Sequence, residues 1–250
     1  MLFPIEKKQL FVLDKNEELQ LLSDYRCIVD TRYDNVIAIA SSDYQIVKNL
    51  DLVNAVESKF KETNILSSYK ITRTETRNYR LIRIYNFPNT TIQIDKEEIS
   101  LALRITNSYN LSLAVQVGLF GWRGICENEL VTSNSLFSGY RKHTKNIDLS
   151  RLTNKIPNAA EAFKSQVDNW RKWTDINLDE DEVEDLITSC FESKCYIEKA
   201  LSNYKEYKNN RLWDAYQAVT NVSTHNMEAY TSLRNEHRIT NSFNKYKESS

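Results

Sequence analysis

For about the first 150 residues apolar side chains mostly alternate with polar ones, and beyond that point they recur at helical spacing. In residues 25–41, Tyr25, Cys27 and Val29 share one face, and a second run at 36–40 follows the turn Tyr33-Asp34-Asn35, which predicts a β-hairpin. Leu52, Val53, Val56 and Phe60 then fall at helical spacing, with Asp51 available as a cap, and predict a short amphipathic helix. The β pattern returns from residue 69, with strands expected at 69–75, 79–87, 91–95, 100–106, 111–119 and 122–126. Ala159, Phe163, Val167 and Trp170 carry one helix with an aromatic stripe. A longer helix is expected from Leu178, where Asn177-Leu-Asp-Glu180 reads as a capping box. Its buried face includes Val183, Ile187, Cys190, Phe191, Cys195 and Leu201. A last helix or helical pair covers 211–238 through Trp213, Tyr216, Val219, Met227, Tyr230 and Leu233. The fold class is α+β: an antiparallel sheet and a short helix in residues 1–150, with the helical part 151–250 packed on it, read as one continuous domain.

Composition narrows what such a chain does. With 33 basic and 34 acidic residues there is no global field toward nucleic acid or anionic lipid, so such binding has to be local. Only 4 Gly and 3 Pro occur, no low-complexity run or repeat is present, and order is expected everywhere except the last residues. No apolar stretch is long enough to cross a membrane and the N-terminus lacks a signal-peptide core. The expectation is a protein of the host-cell cytoplasm without a membrane partner.

The search for covalent chemistry leaves no catalytic residue, metal ligand set or cofactor site assigned. Gly118, Gly121, Gly124 and Gly139 match neither phosphate-binding glycine pattern. His143, His225 and His237 lack zinc-site spacing, and Cys190 with Cys195 reads as core. The acidic run 179–185 suits a helix N-terminus. The four cysteines, Cys27, Cys126, Cys190 and Cys195, contain no CxxC pair and read as reduced thiols.

One feature points to nucleic acid. Lys70, Arg73, Arg77, Arg80 and Arg83 face the single acid Glu75, with Tyr69, Tyr79 and Tyr85 interleaved. Guanidinium groups pair with phosphates and aromatic faces stack on unpaired bases. Alternation puts Tyr79, Leu81, Arg83 and Tyr85 on one face, so Arg83, Tyr79 and Tyr85 form the favoured trio. A second basic cluster, Arg141, Lys142, His143 and Lys145, follows Tyr140. The competing reading of the first ribbon is a solvated sheet edge whose charges prevent aggregation.

Several strings together resemble the domain-of-unknown-function family 932 of phages and plasmids. They are Val29-Asp-Thr-Arg32, Ser42-Asp-Tyr44 with Val47-Lys-Asn49, Asn107-Ser-Tyr109, Gly124-Ile-Cys-Glu-Asn128, Arg141-Lys-His143-Thr144, and Trp213-Asp-Ala-Tyr-Gln-Ala-Val-Thr220 with His225. Asn110-Leu-Ser departs from the family's loop, and Gln217 stands where Asn is usual. The resemblance implies a mobile-element origin and, through neighbouring genes and element order, a likeness to single-strand annealing proteins of the Rad and RecT kind. The expected function is therefore single-stranded DNA binding and annealing in recombination by a homo-oligomer, with Lys70, Arg73, Arg77, Tyr79, Arg80, Arg83, Tyr85, Arg141, Lys142 and Lys145 as DNA contacts. Two alternatives stand beside it: a non-enzymatic structural or host-interaction protein of a mobile element, and an enzyme around Cys126, Asn128 and His143.

Overall fold

The alternating part of the chain forms strands and the later spacing forms helices in a computed structural model that describes residues 4–63, 66–123, 128–131, 139–141, 143–144, 147–207 and 209–245. The fold is α+β with two antiparallel sheets. The first sheet has the order β1 (Ile5–Leu13), β2 (Leu19–Asp30), β3 (Asn35–Ser41). The second runs β4 (Lys70–Glu75), β5 (Arg80–Ile94), β6 (Glu97–Ser108), β7 (Val115–Arg123), β8 (Asn128–Val131), with β9 (Gly139–Arg141) also paired to β7. Helix α1 (Asn49–Lys61) precedes β4; α2 (Ser150–Thr153), α3 (Ala159–Trp173), α4 (Glu180–Cys190), α5 (Lys194–Tyr204), α6 (Leu212–His225) and α7 (Ala229–Asn244) follow the strands.

Several boundaries differ from expectation. The strands expected at 79–87 and 91–95 are one strand, β5, which continues through the exposed Pro88. The helix expected from Leu178 through Leu201 is two, since Phe191 is extended (φ −132°, ψ 153°) and ends α4. The capping box of α4 is Asp179 with Glu182, not Asn177 with Glu180: Glu182 N–H donates to Asp179 Oδ1 at 2.8 Å and Asp179 N–H to Glu182 Oε2 at 3.0 Å. Asp51 lies inside the first turn of α1, where its charge suits the helix dipole, while Lys48 holds the cap position.

The chain divides into two compact units, and neither is contiguous in sequence. The first combines Met1–Tyr85, Leu103–Gly118 and Phe137–Pro157; the second combines Asn86–Ala102, Leu119–Leu136 and Asn158–Ser250. The units thus do not part at residue 150, where the secondary structure changes. In the first unit Leu52, Val53, Val56 and Phe60 of α1 are buried, with Phe60 edge-on to Tyr85 at 5.0 Å. A separate cluster beneath the first sheet joins Ile5, Ile28, Ala40 and Tyr109. In the second unit the core is aromatic: Trp170 meets Trp213 and Tyr216, and Trp173 meets Tyr216 and Phe243. Helix α6 lies deep in this core, with 11 of its 14 residues buried. Gly121 of β7 lets Trp170 approach, since a Cβ there would stand 2.7 Å from the Trp170 ring.

Candidate nucleic-acid interface

The basic ribbon lies on β4, the edge strand of the second sheet, and on the one-turn 3-10 helix Arg77–Tyr79 that leads into β5. Lys70 and Arg77 are exposed. Arg73 pairs with Glu75 at 2.8 Å, and Arg80 Nε donates to Ser112 Oγ at 2.8 Å. Surface pairs of this kind contribute about 0–1 kcal/mol, so a phosphate competes readily for the Arg73 guanidinium.

Arg83 and Tyr85 are turned inward, which removes the trio expected from alternation. Arg83 is 14% exposed and stands 3.6 Å from Glu57 Oε1, with Nε donating to Thr74 Oγ1 at 3.2 Å. Tyr85 is fully buried, its hydroxyl donates to Glu57 at 3.0 Å, and its ring meets Phe60 and Tyr69. Burial pushes the Tyr85 phenol well above its ordinary range. The reason is α1: Glu57, 28 residues earlier in the chain, covers the face of β5 that alternation alone leaves open.

The turn before β5 is held in a costly conformation. Asn78 (φ 53°) and Tyr79 (φ 59°) are consecutive left-handed residues, and neither is glycine. A second turn latches them: Tyr109 N–H donates to the Tyr79 carbonyl at 2.9 Å and Asn110 Nδ2 to the Asn78 carbonyl at 2.7 Å. Asn110 Oδ1 in turn accepts from Ser112, which receives Arg80. Tyr79 also bonds buried Asp30, which accepts Arg32 Nε at 2.9 Å and Nη2 at 2.5 Å. The Arg32 guanidinium holds the Asp30 carboxyl below the usual carboxylate range and lies 5.1 Å from the exposed Tyr33 ring. Arg32 and Tyr33 therefore stand beside the ribbon's turn. Periodicity assigns Tyr33 to a hairpin turn, and Arg32 enters only through the string Val29-Asp-Thr-Arg32; the adjacent Arg-Tyr pair is the signal that marks them together.

The second basic cluster is only partly visible. Arg141 lies on β9 opposite Val115, while Lys142 and Lys145 lie outside the described residues, as does Cys126. Asn128 begins β8, with only its backbone described. His143 is buried and stacked on Tyr44, with ring centroids 4.8 Å apart at 12°. Its Nδ1 lies 3.0 Å from the Gln45 carbonyl, and burial lowers its pKa, favouring the neutral imidazole. Among the described residues no three His, Cys, Asp or Glu side chains converge as a metal site.

The strings noted in the sequence meet in space. In the first unit Tyr44 donates to the Ser108 carbonyl at 3.3 Å, and Asn107 Nδ2 donates to Val47 C=O at 2.8 Å and Asn49 Oδ1 at 2.7 Å. Asn49 N–H donates to the Tyr109 hydroxyl at 2.8 Å. These groups tie α1, β6 and the segment carrying His143 together behind the latched turn. In the second unit Trp213 and Tyr216 are core, while Gln217 accepts from Arg123 at 2.7 Å and donates to Glu97, which also pairs with Arg123. Arg211 joins Asp95 at 2.9 Å to Asp214 at 3.0 Å. Gln217 thus has a structural task in its own right.

Together these features define an α+β protein with a cationic sheet edge and a latched turn. The chain belongs to the family described as Domain of unknown function (DUF932), whose model matches residues 36–248. Comparison with curated proteins and with solved structures finds no match.

Proposed function

We propose that this protein binds single-stranded DNA and promotes annealing of complementary strands in the recombination of a phage or related element, acting without covalent chemistry as an assembly of several copies. The observation that carries the reading is the run Lys70, Arg73, Arg77 and Arg80 along an open edge strand and its latched turn, with Glu75 as the acid among them. Phosphates meet the cations, and Tyr33 beside Arg32 replaces Tyr85 as the surface on which a base stacks. Among the described residues no helix is long and apolar enough to cross a membrane. The host-cell cytoplasm is the compartment that fits this role.

The test is a titration of the full chain with labelled single-stranded and double-stranded oligonucleotides at low and moderate salt. The single strand binds tighter, and its affinity falls with salt. Tyr33→Ala costs about 1–3 kcal/mol of that affinity with little change in salt dependence. Absence of single-strand binding at low salt replaces this reading with a structural or host-interaction protein, for which the exposed apolar residues of β1 and β2 speak.

A further inference from the structure

We infer that the outer half of the β1–β2 hairpin is a dimerisation arm that packs on the same arm of a second copy, tip to base about a two-fold axis. It concerns assembly, and it holds whether or not the chain binds DNA. The pairing of β3 with β2 ends at Tyr25 with Ser41, with Ser42 N–H reaching the Asp24 carbonyl, so, among the described residues, 19–21 of β2 pair only with β1. Across the arm Phe11 pairs with Leu21 and Leu13 with Leu19. Cross-strand partners and alternate residues share a face, so these four side chains form one apolar surface. They are 47%, 43%, 65% and 73% exposed in that order.

This face is not an ordinary solvated one. The register shift between Gln9 and Phe11 takes up its extra residues on β2, so β1 alternates without interruption from Ile5 to Leu13. Ile5 on the same side is buried with Ile28, Ala40 and Tyr109. The quartet therefore continues the core-facing side of the sheet past the end of that core. It exposes roughly 400–500 Å² of apolar surface, within the size range of functional patches on monomers. A stable interface needs about 800 Å² per partner, so the quartet supplies its apolar centre and the flanks supply the rest.

Charge selects the occupant and the direction. The tip of the arm carries Asp14, Glu17 and Glu18 against Lys15; at its base stand Arg26, opposite Gln9, and Lys7, whose Nζ donates to the Ser42 and Tyr44 carbonyls. At about 3.3 Å per residue, Asp14 and Glu18 lie roughly 7 Å and Glu17 roughly 10 Å to one side of the quartet's centre, and Arg26, opposite Gln9, lies roughly 10 Å to the other. A two-fold axis through the quartet sets each acidic tip on the other copy's basic base, the isologous arrangement that closes.

Sedimentation velocity on the full chain, from about 1 to about 100 μM, reads the result. A species of twice the 29.3 kDa chain is expected. Leu13→Asp with Leu19→Asp gives a monomer of unchanged circular dichroism. The exposed tip pair Glu17→Lys, Glu18→Lys, which spares Asp14 and the turn its carboxylate caps, weakens the dimer by at least about tenfold at low salt. A wild-type chain that stays monomeric, leaving the arm to another occupant, or a dimer that survives either set of substitutions, overturns the proposal.

Discussion

Arg77 and Arg83 are six positions apart on the same basic ribbon, yet their environments predict opposite phenotypes. Arg77 is exposed on the latched turn; Arg83 is held against Glu57 and Thr74. If Lys70, Arg73, Arg77 and Arg80 each neutralise one phosphate, the log–log salt slope for single-strand binding is roughly −2.8. Affinity then falls ~50-fold between about 50 and 200 mM salt. Arg77→Ala reduces the slope to roughly −2.1 and that fall to ~20-fold. Arg83→Ala leaves the slope unchanged and instead costs roughly 1 kcal/mol of stability, because Glu57 loses its cation and keeps only neutral phenol partners, Tyr85 and Tyr69. Fluorescence anisotropy with a labelled oligonucleotide at several salt concentrations, paired with urea unfolding, separates the two. A slope as steep in Arg77→Ala as in wild type, or one flattened by Arg83→Ala, refutes the assignment of the edge and turn as the phosphate track.

Gly121→Ala places a methyl 2.7–2.9 Å from Ile99 and Trp170, and overpacking of that kind costs about 1–3 kcal/mol in urea unfolding; an unchanged midpoint rules out the close approach. Asn107→Ala removes the donor to Val47 C=O and Asn49 and costs about 2 kcal/mol, while an Asn107→Asp variant as stable as wild type speaks against the amide's role as donor. His143 is held below its ordinary pKa by burial, so as pH falls through about 6.5 the unfolded chain takes up a proton that the native state refuses. Stability therefore drops on acidification and levels off below the native pKa. His143→Phe, which keeps a ring on Tyr44, shrinks the difference in melting temperature between about pH 7.5 and pH 5; an equal drop in both proteins counts against it.

Periodicity located most elements because each buries one side and therefore repeats locally. The hairpin at 25–41, helix α1 and the aromatic stripe of α3 are legible in this way. Strand β1 was not, since Ile-Glu-Lys-Lys-Gln-Leu-Phe-Val-Leu runs from a charged half into an uninterrupted apolar half and never settles into alternation. The site was legible as composition only. A basic ribbon can be read from sequence, but whether Tyr85 faces a base or Glu57 depends on where α1 docks, a contact spanning 28 residues. Likewise Asn49, Asn107 and His143 gain their roles from partners 58 to 98 residues away, which no local window contains.

The interleaving of the two units also governs how the chain is made. The first unit waits for Phe137–Pro157 before it can close, and the second begins at Asn86 yet ends with Ser250. At a synthesis rate of about 5–20 residues per second, residues 1–85 leave the ribosome several seconds ahead of the segments that complete their fold. Through that interval the β1–β2 arm with its four apolar side chains stands on an unfinished unit, as an edge open to other nascent chains. Slower translation of the middle of the message should therefore raise aggregation of this protein more than slower translation of its last fifty codons, by which point the first unit can already have closed.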